Sequence, residues 1–208
     1  MWVARPGRDD EYDRPRRWQK LAAGEDNKER LNKWQSGDAV GANMGGTVAV
    51  VDVDPQNDGD VEKVRQLLVA LNVRVFAEIA TPGGGRHFYV AGHPDLPNVT
   101  GTLEGFPGVD IQSFGKNVFL PGTERRKYFG AGYTVISDDL DALGDGGDPD
   151  GAEALADWVA QHHQRQDNPG PTAPLWNGTP PTRRERAYLE KTLSRPVGKE
   201  AVTSRKRG

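Results

Sequence analysis

Val48-Ala49-Val50-Val51-Asp52-Val53-Asp54 is a run of β-favouring apolar residues that closes on two aspartates, and it reads as a strand suited to burial. Residues i and i+2 of a strand share a face, so Asp52 and Asp54 point the same way. Two carboxylates held that close repel, and one of them would ordinarily be neutralised. A divalent cation removes the conflict, because hard oxygen ligands suit Mg²⁺ or Mn²⁺. The plainer reading is that both aspartates open the turn Pro55-Gln56-Asn57-Asp58-Gly59, a common place for aspartate. Residues elsewhere in the chain decide between the two.

Upstream, Ala39 to Asn43 reads as a strand joined to the first by a tight Met44-Gly45-Gly46 turn. Before it, Arg16 to Ala23 and Asp26 to Gln35 read as helices, with Asp26 as N-cap and with Leu31 and Trp34 three apart toward a core. Downstream, Asp58-Gly59-Asp60 opens a helix to about Leu71, whose Val61, Val64, Leu67, Leu68 and Leu71 recur at helical spacing. Val75 to Ala80 and Arg86 to Ala91 are strands around the turn Thr81-Pro82-Gly83-Gly84-Gly85, and Gly92 to Gly105 reads as loop. Short strands follow at Gly108 to Gln112, Asn117 to Leu120 and Tyr133 to Ile136, then an amphipathic helix from Ala152 to Gln164 with Leu155, Trp158 and Val159 inward. This order predicts an α+β fold, helices packed on a mostly antiparallel sheet. Residues 1–164 would form that domain, 165–181 a Pro/Gly-rich linker, and 182–208 a short helical basic tail.

Composition sets further limits. The chain has 208 residues, 35% hydrophobic, with a mean hydropathy of −0.72, consistent with part of its length being linker or tail. No apolar stretch approaches the roughly 20 residues that span a bilayer, and Met1-Trp2-Val3-Ala4-Arg5-Pro6 lacks the apolar core of a secretory signal. Absence of cysteine excludes disulfides, Cys-ligated zinc and thiol catalysis; a cytoplasmic location is the expectation. The net charge of −3 is segregated. An acidic run lies between Asp138 and Asp157, and bases from Arg183 to Arg207 follow, suiting either phosphate contact or a solvated end.

Three features stand at strand ends: Asp52 with Asp54, then Gly85-Arg86-His87, then Gly108-Val109-Asp110. Asp110 offers a third carboxylate to the same cations. Three carboxylates around two divalent ions about 3.5–4 Å apart are what nucleotidyl transfer needs. Gly85 shares a strand face with His87 and leaves space for a bulky anion, and the glycine-rich turn offers backbone N–H groups to phosphate. Each residue also has an ordinary reading: a strand histidine, a hairpin turn, a loop carboxylate. Their order is what raises them above it.

That ordered set resembles the primase-polymerase (prim-pol) domain of the archaeo-eukaryotic primase superfamily, found in plasmid, phage and prophage replication proteins. The family shows a hydrophobic strand ending Asp-x-Asp/Glu, a small-x-His element after a Gly-rich turn, and a hydrophobic-Asp element. Here these are Val50-Val51-Asp52-Val53-Asp54, the stretch Thr81 to Val90 containing Gly85-Arg86-His87, and Gly108-Val109-Asp110-Ile111. Phe114-Gly115-Lys116-Asn117-Val118-Phe119-Leu120-Pro121-Gly122-Thr123 is similar to the turn, strand and Pro-Pro-Ser-like corner that follow. Trp34 and Gly41 to Gly46 match the approach to the first motif, and the likeness covers roughly Arg16 to Val159. Two departures stand out: Gly85 replaces a serine common before x-His, and Leu120-Pro121-Gly122-Thr123 replaces the Pro-Pro-Ser corner.

The resemblance implies an RRM-like catalytic core and template-directed synthesis of primers or DNA from nucleoside triphosphates. It implies that Asp52, Asp54 and Asp110 bind two Mg²⁺ or Mn²⁺ ions and that His87 contacts the triphosphate, with Gly85 and Lys116 in the nucleotide site. Arg125, Arg126 and Lys127 are candidates for template or triphosphate contact, whereas Arg86 projects to the opposite strand face. Single-stranded DNA template is the implied partner, alongside a separate replicative helicase. Competing readings are a metal-dependent nuclease or phosphodiesterase, and a non-catalytic nucleic-acid-binding replication module. An EF-hand beginning at Asp54 fails, since its twelfth position is Arg65 rather than glutamate. No segment carries the Gly-Lys-Ser/Thr ending of a P-loop.

Overall fold

The computed structural model describes residues 2–6, 12–13, 32, 34–44, 46–144 and 147–163. Strand β4 (Val48–Val53) is its spine. It pairs antiparallel with β6 (Arg86–Ala91) on one side and β8 (Val109–Gln112) on the other, and both of its faces enter core clusters, which accounts for its nearly continuous apolar sequence. Helix α1 (Val61–Ala70) follows, capped by Asp60, whose carboxylate accepts from the N–H groups of Glu62 and Lys63 at 3.0 Å. The helix buries Val64 and Leu68 and leads to β5 (Ala77–Ala80). β6 lies between β4 and β5, antiparallel to both. This split β-α-β arrangement is half of an RRM-like fold. β7 (Val99–Thr100) edges β8, and β10 (Thr134–Asp138) edges β5 with a bulge at Ile136. The sheet runs β10-β5-β6-β4-β8-β7, antiparallel throughout.

The two sheet faces are covered differently. Val51, Val53, Phe88, Val90, Val109 and Ile111 pack beneath α1, and beneath Leu155, Ala156 and Val159 of α3 (Pro149–His162). No helix interrupts the path from β6 to β8, residues 92–108; its Leu96 and Leu103 join this core directly. A short helix, α2 (Leu140–Gly144), precedes α3, and Asp148 caps α3 through the Gly151 N–H while accepting from Arg74 N–H at 2.7 Å. On the opposite face, Val50, Ala77, Ile79 and Tyr89 meet Met44 and Val118. These last two belong with a second sheet, ordered β2-β1-β3-β9, from Tyr12–Asp13, Trp2–Pro6, Ala39–Asn43 and Asn117–Phe119.

The expected fold class is therefore observed: α+β, with a mostly antiparallel sheet flanked by helices. Several details differ from expectation. β3 and β4 are not a hairpin: β3 pairs with β1 and β9, while β4 pairs with β6 and β8. The described end of the expected helix reaching Gln35 is non-helical. There a turn closes through Asp38, whose N–H bonds Gln35 O and whose carboxylate accepts from Gln35 N–H. Trp34 is 45% exposed rather than in a core; its indole donates to Asp38 O. β1, β2, β7 and α2 are additional elements. The helix expected over Arg16 to Ala23, the start of the next one, the linker at 165–181 and the basic tail at 182–208 lie outside the described residues. Among the described residues, no helix is long and apolar enough to cross a membrane.

Candidate active site

The register of the six-stranded sheet brings three of the expected residues into one row. Asp52 on β4 stands opposite His87 on β6 and, across its other edge, opposite Asp110 on β8. Directly opposed residues share a face, here the face turned away from the helices. His87 Nε2 lies 3.4 Å from Asp52 Oδ1, with the histidine side chain 5% exposed and the aspartate 29%. His87 Nδ1 is buried and has no hydrogen-bond partner among the described residues, so one polar atom of the row awaits a ligand or water.

Asp54 is placed otherwise. Its N–H donates to Gly108 O at 2.8 Å, tying the end of β4 to the start of β8. Its carboxylate accepts from Gln56 N–H at 2.9 Å and Asn57 Nδ2 at 2.7 Å, capping a 3₁₀ turn at Pro55–Asn57. The turn-opening role thus falls to Asp54 and not to Asp52. Gly108 completes the junction. Its φ is +63°, and a Cβ there would sit 2.4 Å from Asn57 O, so only glycine lets these two turns interlock.

Asp110 Oδ1 accepts from Gly101 N–H at 2.9 Å, and Gln112 Nε2 reaches Oδ2 at 3.5 Å. Burial raises the Asp110 carboxyl above its ordinary pKa; the Gly101 N–H opposes this, Asp52 and Asp54 add to it, and Lys116 offsets part. Asp110 therefore feels both other aspartates and one lysine. This fits a hard divalent cation in donor chemistry and in charge: all three candidates are carboxylates, and their mutual repulsion is what a cation would relieve. The side chains are not already gathered as a ligand set. Among the described residues no group of three or more acids or histidines stands ready to hold a metal ion, and Asp54 would first have to leave its cap.

Gly85 lies at the entrance to β6. A Cβ would sit 2.0 Å from Val53 O, so the position excludes serine as well as every larger residue. Its N–H donates to Thr81 Oγ1 and its carbonyl accepts from Thr81 N–H; the missing hydroxyl is a packing requirement between β6 and the end of β4. Arg86 faces the other way, as alternation requires, donating to Gly85 O and pairing with Glu78, which also holds Arg65.

Residues not singled out from the sequence border the row. The Tyr133 ring lies 5.4 Å from His87 and 5.9 Å from Phe119. Burial raises its phenol pKa, while a side-chain hydrogen bond with Arg125 acts against this. The Arg125 guanidinium also sits 5.3 Å from the Phe119 ring centre. Tyr89 is on the same face as His87; burial, then Tyr133 and Asp52, push its pKa up. Tyr128 OH meets Gln56 Oε1 at 3.3 Å, and Gln56 Nε2 meets Gly83 O at 3.4 Å, so three loops close at one rim. Strand alternation from His87 and Asp110 would have located Tyr89 and Gln112. Nothing local marks Tyr133 or Gln56.

The family model for the bifunctional DNA primase/polymerase N-terminal domain (Prim-Pol) matches residues 5–158. The chain belongs to this family, and its function is of the primase/polymerase type, in replication. No curated protein matches the chain.

Proposed function

We propose that the chain is a DNA primase and/or DNA polymerase of phage or plasmid type, catalysing template-directed nucleotidyl transfer at the row His87–Asp52–Asp110. The observation that carries this reading is the register itself: three residues from three separate motifs stand side by side on adjacent strands, on one face. In the reaction a primer or nucleotide 3′-hydroxyl attacks the α-phosphorus, the bond to the β-phosphate oxygen breaks, and pyrophosphate leaves. Asp52 and Asp110, joined by Asp54 once released from its turn, would hold two Mg²⁺ or Mn²⁺ ions. Those ions supply activation of the hydroxyl and stabilisation of the leaving group. His87 presents a buried imidazole 3.4 Å from Asp52, suited to bind a phosphate oxygen. Arg125, oriented by Tyr133, and Lys116 add positive charge for the triphosphate. Gly85 contributes space rather than a free N–H. Single-stranded DNA as template, a separate replicative helicase, a cytoplasmic location and a catalytic domain ending near residue 164 complete the reading.

Templated incorporation of labelled ribo- and deoxynucleotides, with and without primer, tests it. Asp52→Ala or Asp110→Ala is expected to cut incorporation by more than about a hundredfold without loss of fold, and His87→Ala to act mainly on nucleotide KM. Incorporation at an undiminished rate in EDTA would overturn the metal mechanism. Degradation of a labelled primer with no incorporation would identify a nuclease instead.

A further inference from the structure

The loop of residues 125–131 carries Phe129 at its tip, 103% exposed and at φ +57°. A bulky aromatic residue in the left-handed region is a strained outlier, and such strain collects at functional positions. The conformation is imposed rather than frayed. Phe129 N–H bonds Arg126 O at 2.9 Å, Gly130 N–H bonds Arg125 O at 3.1 Å, and Ala131 N–H bonds Tyr128 O at 3.0 Å. Residue 129 buries nothing, so the fold draws no packing from the ring. Glycine would meet the backbone requirement without the strain.

The chain just before the ring is cationic. Arg126 and Lys127 are exposed beside it, and the Lys127 ammonium lies 4.6 Å from the Tyr128 ring centre. The loop is anchored to the site at two points: Tyr128 to Gln56, two residues beyond Asp54, and Arg125 to Tyr133, which packs on His87. A second exposed aromatic, Phe114 at 78%, lies two residues before Lys116, whose charge reaches Asp110. Exposed aromatic rings among cations, on a loop anchored to the acidic row, match what single-stranded nucleic acid requires, bases to stack and phosphates to neutralise. A duplex keeps its base faces covered and has no use for an open ring.

We infer that Phe129 is a stacking platform for an unpaired base of single-stranded DNA entering the site, with the neighbouring cations holding the strand's phosphates. The inference deepens the nucleotidyl-transfer reading and rests on it only for the direction of the strand toward the acidic row.

The test is equilibrium binding of a fluorescent single-stranded oligothymidylate to the full chain, in EDTA and without nucleotide, beside a blunt duplex of equal length. Phe129→Ala and Phe129→Gly are expected to weaken single-strand binding about tenfold and to leave the duplex and the salt dependence unchanged. Phe129→Trp should keep the affinity. Phe129→Gly should melt no lower than the parent, since it relieves the backbone strain, which separates stacking from a structural role. Unchanged single-strand affinity in Phe129→Ala, equal losses on single strand and duplex, a lowered melting temperature in Phe129→Gly, or no binding by the parent chain would each overturn the inference. Because no chemistry is read, a chain that binds in this way yet never incorporates nucleotide refutes the enzymatic reading and leaves the platform standing.

Discussion

Burial lifts the Asp110 carboxyl above the ordinary carboxylate range, and the facing charges of Asp52 and Asp54 add to it. The folded chain therefore holds this proton more tightly than the unfolded chain does. Stability contributed here falls as pH rises from the ordinary carboxylate pKa through the raised one. Asp110→Asn removes the charge but keeps an oxygen for the Gly101 N–H. In EDTA, the variant is expected to melt above the parent at pH 7, with the gap closing as pH falls into the ordinary carboxylate range. Melting curves across that range check it, and a gap independent of pH would remove the charge conflict as its cause. The same repulsion would be relieved by a cation between these carboxylates.

At the scale of elements, the corner after β9 shows how a departure in sequence is absorbed. Thr123 is fully buried, and its hydroxyl accepts from Val40 N–H at 3.0 Å and donates to Val40 O at 3.1 Å, fastening the corner to β3. Thr123→Val matches the shape but strands the Val40 N–H. It is expected to cost about 1–3 kcal/mol in urea unfolding, with Thr123→Ser close to the parent. Threonine here does what a serine hydroxyl would do. Elements were legible wherever local chemistry marks them. The β4 run, the helix opened by Asp58-Gly59-Asp60 with Val64 and Leu68 inward, and the glycine-rich turn before His87 all stood where expected. Pairing was not legible between β3 and β4, because glycines between two strands look alike whether the chain turns back or crosses to another sheet. The partners that decide it, β9 and β6, lie far along the chain. The site divides similarly. Asp52, His87 and Asp110 announce themselves by chemistry and order, whereas Tyr133 reaches His87 only because β10 closes the sheet beyond β5.

Across the whole molecule, a cation that binds only the folded chain must raise its stability. Saturating Mn²⁺, at about a hundred times its dissociation constant, contributes about 2.7 kcal/mol, or roughly 5–10 °C for a domain of this size. Asp52→Ala and Asp110→Ala should each abolish the rise, read by calorimetry with no nucleotide present. An equal rise in both variants would move the ion elsewhere. The layering of the fold carries a further consequence for the order in which the chain is made. The strands of the row are complete once β8 has been synthesised, yet Leu155, Ala156 and Val159, which cover their apolar backs, belong to the last described helix. A ribosome thus releases Val51, Phe88 and Ile111 with only α1 to cover them, well before α3 exists. For that interval the nascent chain presents a sticky half-built sheet, and translation past α3 is what ends its exposure to aggregation.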